Sequence, residues 1–126
     1  MTSNHTASDA VESLPQSDPP HDFDEYTLIL LTRPTDAPDL DDAEAASLQR
    51  QHLGYLGAMR KSGALLAAGP LEDQPDESWR GLCVYVVKTD VALQLAARDP
   101  AVRRGRLAPV ALTWKTRRGE ISRTRR

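Results

Sequence analysis

The amino-acid sequence predicts a two-layer α+β sandwich, on three observations. Two stretches carry apolar residues at helical spacing, and four shorter runs are rich in Leu, Val, Ile and Ala. Their order along the chain is strand, helix, strand, strand, helix, strand. The runs around Leu28 and Val84 are apolar on both faces, the pattern of strands that are covered on both sides.

Residues 26–32, YTLILLT, form the first strand, which ends at Arg33-Pro34 because proline cannot continue a ladder. Residues 36–42 are a loop in which Asp41 or Asp42 serves as N-cap. The first helix then runs to Ser62, with Gly63 as C-cap. Gly54 and Gly57 fall off its apolar stripe and weaken it by about 1 kcal/mol each relative to alanine. Residues 64–68 are a short strand closed by Gly69-Pro70, and residues 71–78 a polar turn. Residues 81–87, GLCVYVV, give the clearest strand. Thr89 or Asp90 caps a second helix over residues 91–98, and residues 107–115 form the last strand, with Val110, Leu112 and Trp114 on one face. This split βαβ repeat is the ferredoxin-like sandwich. Two helices cover only one face of a four-stranded sheet. The other apolar face needs a cover, and the same face of a second copy is the simplest one, which predicts a homodimer.

A chain of 126 residues fits one domain, with 16 basic against 18 acidic residues, a balance that carries neither a nucleic-acid nor a membrane signature. The apolar run at residues 28–31 is far short of the roughly 18 residues of a spanning helix. The first residues lack the basic-then-apolar layout of a signal peptide, so the Asn4-His5-Thr6 sequon is read as chance. A single cysteine, Cys83, suits a reducing compartment, and the expected location is the cytoplasm. Residues 1–25 read as an acidic disordered tail, residues 26–116 as the domain, and residues 117–126 as a basic tail. The basic tail has no interleaved aromatic residues beyond Trp114 and is taken as a solvated end rather than a nucleic-acid site.

His52 stands near the centre of the apolar stripe formed by Ala45, Leu48, Tyr55, Leu56 and Met59. A ring buried there without a partner costs about 1–3 kcal/mol, so it is either a core histidine bonded to a carbonyl or water, or a general acid or base facing a cavity. Asp99 poses a similar choice. It can share a face with Val91 and Leu95 at the end of the second helix, or cap a new turn opened by Pro100. A capping aspartate keeps one oxygen for another partner, so both roles are compatible. Arg50 and Arg80 are candidates to bind an anionic ligand, or else solvated surface charges. Cys83, inside an apolar strand, reads as a small buried hydrophobe. No cofactor or metal is expected, since His5 and His21 lie in the N-terminal tail and a metal needs three or four ligands.

Several of these pieces together resemble the YciI-like (YCII-related) family: His52-Leu53, the run Gly63-Ala64-Leu65-Leu66-Ala67-Ala68-Gly69-Pro70, Gly81 opening a strand, Ala96-Ala97-Arg98-Asp99-Pro100, then Gly105 and a strand ending in Trp114. The resemblance spans residues 26–115 and departs from the family at Ala101, where an aromatic residue often stands, and at Arg104, where a small one is common. It implies a ferredoxin-like fold that pairs as a dimeric α/β barrel. It also implies an active site built on His52 and Asp99, and Arg50, Gly69 and Pro70 are the expected substrate-binding residues. Some relatives are dehydrochlorinases acting on chlorinated or hydroxylated aromatic ring-cleavage intermediates. The expected function is therefore acid–base chemistry of lyase or isomerase type on a small organic molecule, aromatic-derived and anionic. The alternative is a non-catalytic small-molecule-binding or structural homodimeric module.

Overall fold

A computed structural model of the protein describes residues 22–122. The acidic tail expected over residues 1–25 falls outside the described residues as far as residue 21, and so do residues 123–126 of the basic tail. Among the described residues seven elements follow one another: β1 (Phe23–Thr32), α1 (Asp42–Ser62), β2 (Leu65–Pro70), β3 (Trp79–Tyr85), α2 (Thr89–Ala96), α3 (Pro100–Arg103) and β4 (Ala108–Arg117). The four strands form one sheet in the order β2-β3-β1-β4, and β3 runs antiparallel to both neighbours. This is the ferredoxin-like arrangement expected from the order of elements.

Alternation along the strands sets the helix-covered core. Ile29 and Leu31 of β1, Cys83 and Tyr85 of β3, and Leu65 of β2 point to one face, where Leu56 of α1 and Ala92 and Ala96 of α2 meet them. On the opposite face Leu28 pairs with Val84 and Leu30 with Leu82 across β1 and β3. There β4 adds Val110, Leu112 and Trp114, which are 46%, 49% and 40% exposed. The Trp114 ring also lies 6.0 Å from that of Tyr26. No helix among the described residues is long and apolar enough to cross a membrane.

α1 has the ends its sequence prescribes. The Asp41 side chain accepts from the Glu44 N–H at 2.8 Å, while the Asp41 N–H donates to the Glu44 carboxylate at 3.2 Å, a reciprocal capping box. At the other end Gly63 takes φ 90°, the left-handed conformation glycine reaches without strain. Tyr55 donates to the Leu95 carbonyl at 2.6 Å and ties α1 to α2.

Other boundaries differ from the sequence reading, each for a local reason. β2 runs through Gly69 and Pro70, where a stop was expected; proline is tolerated because β2 is an edge strand. β3 closes at Tyr85, because the Val86 N–H bonds Ala64 O at 2.9 Å and Val87 O accepts from the Thr27 hydroxyl at 2.7 Å, outside the ladder. α2 starts at Thr89 with Lys88 as N-cap and ends at Ala96. Asp99 therefore does not sit in the last turn of α2, as one sequence reading held, but at the N-cap of α3.

The described residues divide into two units, residues Glu25–Lys115 and a smaller one of residues 22–24 with Thr116–Ser122. Within the smaller unit the Arg118 N–H bonds Asp22 O at 2.8 Å and the Gly119 N–H bonds the Asp24 carboxylate at 2.8 Å. These contacts accompany a first strand that begins at Phe23 rather than the expected Tyr26.

Candidate active site

Asp99 is placed by its own sequence. Pro100 at the first helical position pushes the residue before it into extended backbone, and Asp99 has φ −60° and ψ 129°. Its Oδ1 accepts the Ala101 N–H at 2.9 Å, which satisfies a buried donor at the start of α3. That contact fixes the carboxylate plane and leaves Oδ2 to face α1. There it meets His52 Nδ1 at 2.6 Å. The capping reading of Asp99 thus holds together with a second partner, one oxygen being on the cap and the other on the ring. Asp99 is 2% exposed, and the His52 side chain 12%. A carboxylate only accepts, so Nδ1 carries the hydrogen and Nε2 is the remaining ring nitrogen.

His52 lines a cavity of about 320 Å³. Leu56 and Arg60 follow on the same side of α1 at four-residue steps, and Gly69 and Pro70 of β2 form the opposite wall. Gly81 and Cys83 of β3 also line it. A Cβ on Gly81 would stand 3.3 Å from the Gly69 carbonyl oxygen, so only glycine fits there without moving the wall. Larger surface grooves of about 550, 690 and 460 Å³ lie elsewhere on the domain, but neither His52 nor Asp99 lines any of them. Chemistry rather than size picks out the His52 cavity.

The charge around this cavity is one-sided. Arg33, Arg60 and Arg80 all line it. Arg33 has its guanidinium pKa drawn below the ordinary value by burial first, then by the neighbouring charges of Arg106 and Arg80. The Cys83 thiol is pushed up to about 12, chiefly by burial, further by Asp99, with Arg60 opposing. A thiol so protonated is a packing group. Burial likewise raises Tyr85 and Tyr55 above the ordinary tyrosine value.

Of the residues the sequence singled out, His52 and Asp99 are brought together and Gly69, Pro70 and Arg80 join His52 at the cavity. Arg50 does not join them. It stands two residues before His52, about 200° round the helix, and is exposed. Sequence reasoning missed Arg33 and Arg60. Arg60 was within reach of it, eight residues after His52 and so close to the same stripe. Arg33 follows the predicted end of β1, and no local pattern distinguishes it from a solvated loop arginine.

Among solved structures, 5-chloro-2-hydroxyhydroquinone dehydrochlorinase from Burkholderia phenoliruptrix AC1100, in complex with 2,5-dihydroxybenzoquinone, is similar at 14% sequence identity and a TM-score of 0.46, over 71% of this chain and 90% of that one. No curated protein matches the sequence. The profile of the YCII-related domain matches residues 25–114, from the first strand to the last. The protein belongs to the YCII-related domain family.

Proposed function

We propose that this YCII-related protein binds a small organic anion and carries out general acid–base chemistry of lyase or isomerase type, with His52 as the proton-transfer group and Asp99 as its positioning residue. The observation that carries this reading is the 2.6 Å contact from His52 Nδ1 to a carboxylate pinned on its other side, with the ring lining a cavity. A carboxylate on Nδ1 fixes the tautomer and leaves the Nε2 lone pair for a substrate proton. The abstracted proton would come from a carbon next to a carbonyl or from a phenol. Loss of a leaving group or a double-bond shift follows, and the proton on Nε2 can be returned. Negative charge developing on the substrate would be stabilised by the cavity arginines, in a setting where water is partly excluded. Gly69 and Pro70 would hold the substrate opposite the ring, and Arg50, exposed on α1, takes no part.

The same reading includes a homodimer. A sheet face carrying Leu28, Leu30, Leu82 and Val84 beside the exposed Val110, Leu112 and Trp114 is larger than a single chain ordinarily leaves in water. Pairing through this face would close two sheets into a dimeric α/β barrel. The cytoplasm suits the single buried thiol, and neither nucleic acid nor membrane is a partner in this reading.

A thermal-shift screen with aromatic ring-cleavage lactones, chlorinated hydroxyquinols and their carboxylates tests it. Hits on the wild type are then followed for turnover, in parallel with His52→Ala. Turnover that disappears in His52→Ala is the expected result. Tight binding without turnover of any hit, unchanged in His52→Ala, would leave a non-catalytic binding module in its place.

A further inference from the structure

The geometry points to Arg33 as a carboxylate-binding residue: we propose that the ligand of the His52 cavity is a small organic acid whose carboxylate is gripped by Arg33, with Arg80 beside it. This rests on the His52 cavity being the binding site but is independent of His52 acting on a proton.

Arg33 is held in place by a carbonyl. Its Nε donates to the Arg106 carbonyl at 2.9 Å, and its backbone N–H donates to Ser78 O at 2.7 Å, just before Pro34 stiffens the chain. Arg106 is itself pinned, with Nη1 on the Pro38 carbonyl at 2.7 Å and its backbone N–H on Ala101 O at 3.0 Å. Arg80 Nη1 donates to Glu77 O at 3.3 Å. Carbonyl partners orient a guanidinium without neutralising it. Among the described residues, Arg33, Arg80 and Arg106 form no ion pair, although the chain has more acidic than basic residues to offer. Three like charges are thus gathered beside a cavity with no acidic lining residue. Burial first, and then the charges of Arg106 and Arg80, lower the pKa of Arg33, a setting that a bound anion would relieve.

The donors that remain define the anion. With Nε occupied, the two terminal nitrogens of Arg33 are left as a planar fork, the geometry that matches a carboxylate in a bidentate pair. The neighbouring cavity surface is apolar, with Leu31, Leu56, Cys83 and Leu107 to take a carbon skeleton. Arg33 also shares a second, smaller depression with Gln49, one turn before His52, whereas Arg60 follows His52 by eight residues, about 12 Å along α1. A carboxylate on Arg33 would therefore lay a ring-sized body across the cavity floor toward His52.

The test uses isothermal titration calorimetry with benzoate, its neutral isostere benzamide, and phenyl phosphate. Expected are benzoate binding that weakens with added salt, and benzamide binding at least about tenfold weaker. Arg33→Gln should lose about tenfold or more of benzoate affinity, and Arg33→Lys, which keeps the charge but not the fork, most of the same loss. Arg80→Gln, at an exposed position, should lose a smaller factor and carries the test if an Arg33 variant does not fold. Arg50→Gln, exposed on α1 and outside the cavity lining, should keep benzoate affinity. Equal affinity for benzoate and benzamide, no benzoate binding at millimolar concentration, or unchanged affinity in the Arg33 variants, or in Arg80→Gln where it stands in for them, would overturn the proposal. Tighter binding of phenyl phosphate than of benzoate would overturn the carboxylate assignment. Arg33-dependent benzoate binding without turnover of any lactone leaves the clamp standing and removes the acid–base reading; turnover with Arg33-independent benzoate binding does the reverse.

Discussion

Asp99 performs two jobs with two oxygens, and substitutions can separate them. In Asp99→Ala both contacts are lost. The buried Ala101 N–H loses its cap acceptor, at a cost of about 1 kcal/mol within a range of 0.5–2. His52 Nδ1 loses a partner 2.6 Å away in a largely buried setting, which costs about 1–3 kcal/mol for an unsatisfied group. The two losses fall on the two oxygens of one carboxylate, and together they amount to about 1.5–5 kcal/mol, a large part of the stability of a small domain. Asp99→Asn behaves differently. Its amide oxygen can keep the cap while its NH₂ faces Nδ1, which obliges that nitrogen to accept and moves the ring hydrogen to Nε2. The expected cost is under about 1.5 kcal/mol. Urea unfolding of the two variants gives the stabilities, and nitrogen-15 spectra of labelled imidazole report the tautomer. Equal destabilisation by Asn and Ala, or an unchanged His52 spectrum in Asp99→Asn, would refute the reasoning and with it the pairing on which the acid–base reading depends.

Three further outcomes follow from other parts of the structure. Gly54→Ala should stabilise the protein by about 0.5–1 kcal/mol and raise Tm by a few degrees, since a Cβ there meets nothing within 4 Å; calorimetry that shows a loss would mean that α1 is strained at this position. Because the folded-state pKa of Cys83 is raised from 9.0 to about 12, its contribution to stability is present below pH 9 and disappears as the pH rises toward 12. Iodoacetamide at pH 8 should accordingly label Cys83 about a thousandfold more slowly than a free thiol, and rapid labelling of native protein would contradict its burial. Sedimentation equilibrium should give a dimer for the wild type and a shift toward monomer for Leu112→Lys, whereas a stable wild-type monomer at micromolar concentration would refute pairing through the open face.

The parts of the fold legible in the sequence were those set by local chemistry. Asp41, Glu44 and Gly63 specify the ends of α1 by hydrogen bonds within a few residues, and both ends lie where the sequence put them. Strand boundaries were less legible because they depend on partners. Val86 and Val87 are as apolar as the rest of β3, yet they leave the ladder for contacts with Ala64 and Thr27, distant in sequence. At the candidate site His52 stood out because it broke a local rule, a histidine on an apolar stripe, while Asp99 followed one, a cap before proline with an oxygen to spare, and the family resemblance joined the two. Arg33 breaks no rule. Its setting comes from the carbonyl of Arg106, and such a contact is invisible until the chain is folded.

Cys83 reports the field that this arrangement creates. Its thiol feels the negative charge of Asp99 from behind His52 and the positive charge of Arg60 from the rim, so the cavity floor lies between an anion and a set of cations. A bound molecule with one negative end is not free to choose its direction in such a field. In the proposed complex its charge would be drawn toward the arginines and kept from Asp99. The neutral end would then face His52, where a proton on carbon or on a phenol would have to stand for the ring to take it. A cationic or neutral ligand of the same size gains no such orientation. Under the proposed function the charge pattern would select between ligands by direction as much as by affinity, with Arg33 and Arg80 held by carbonyl contacts that leave them positive.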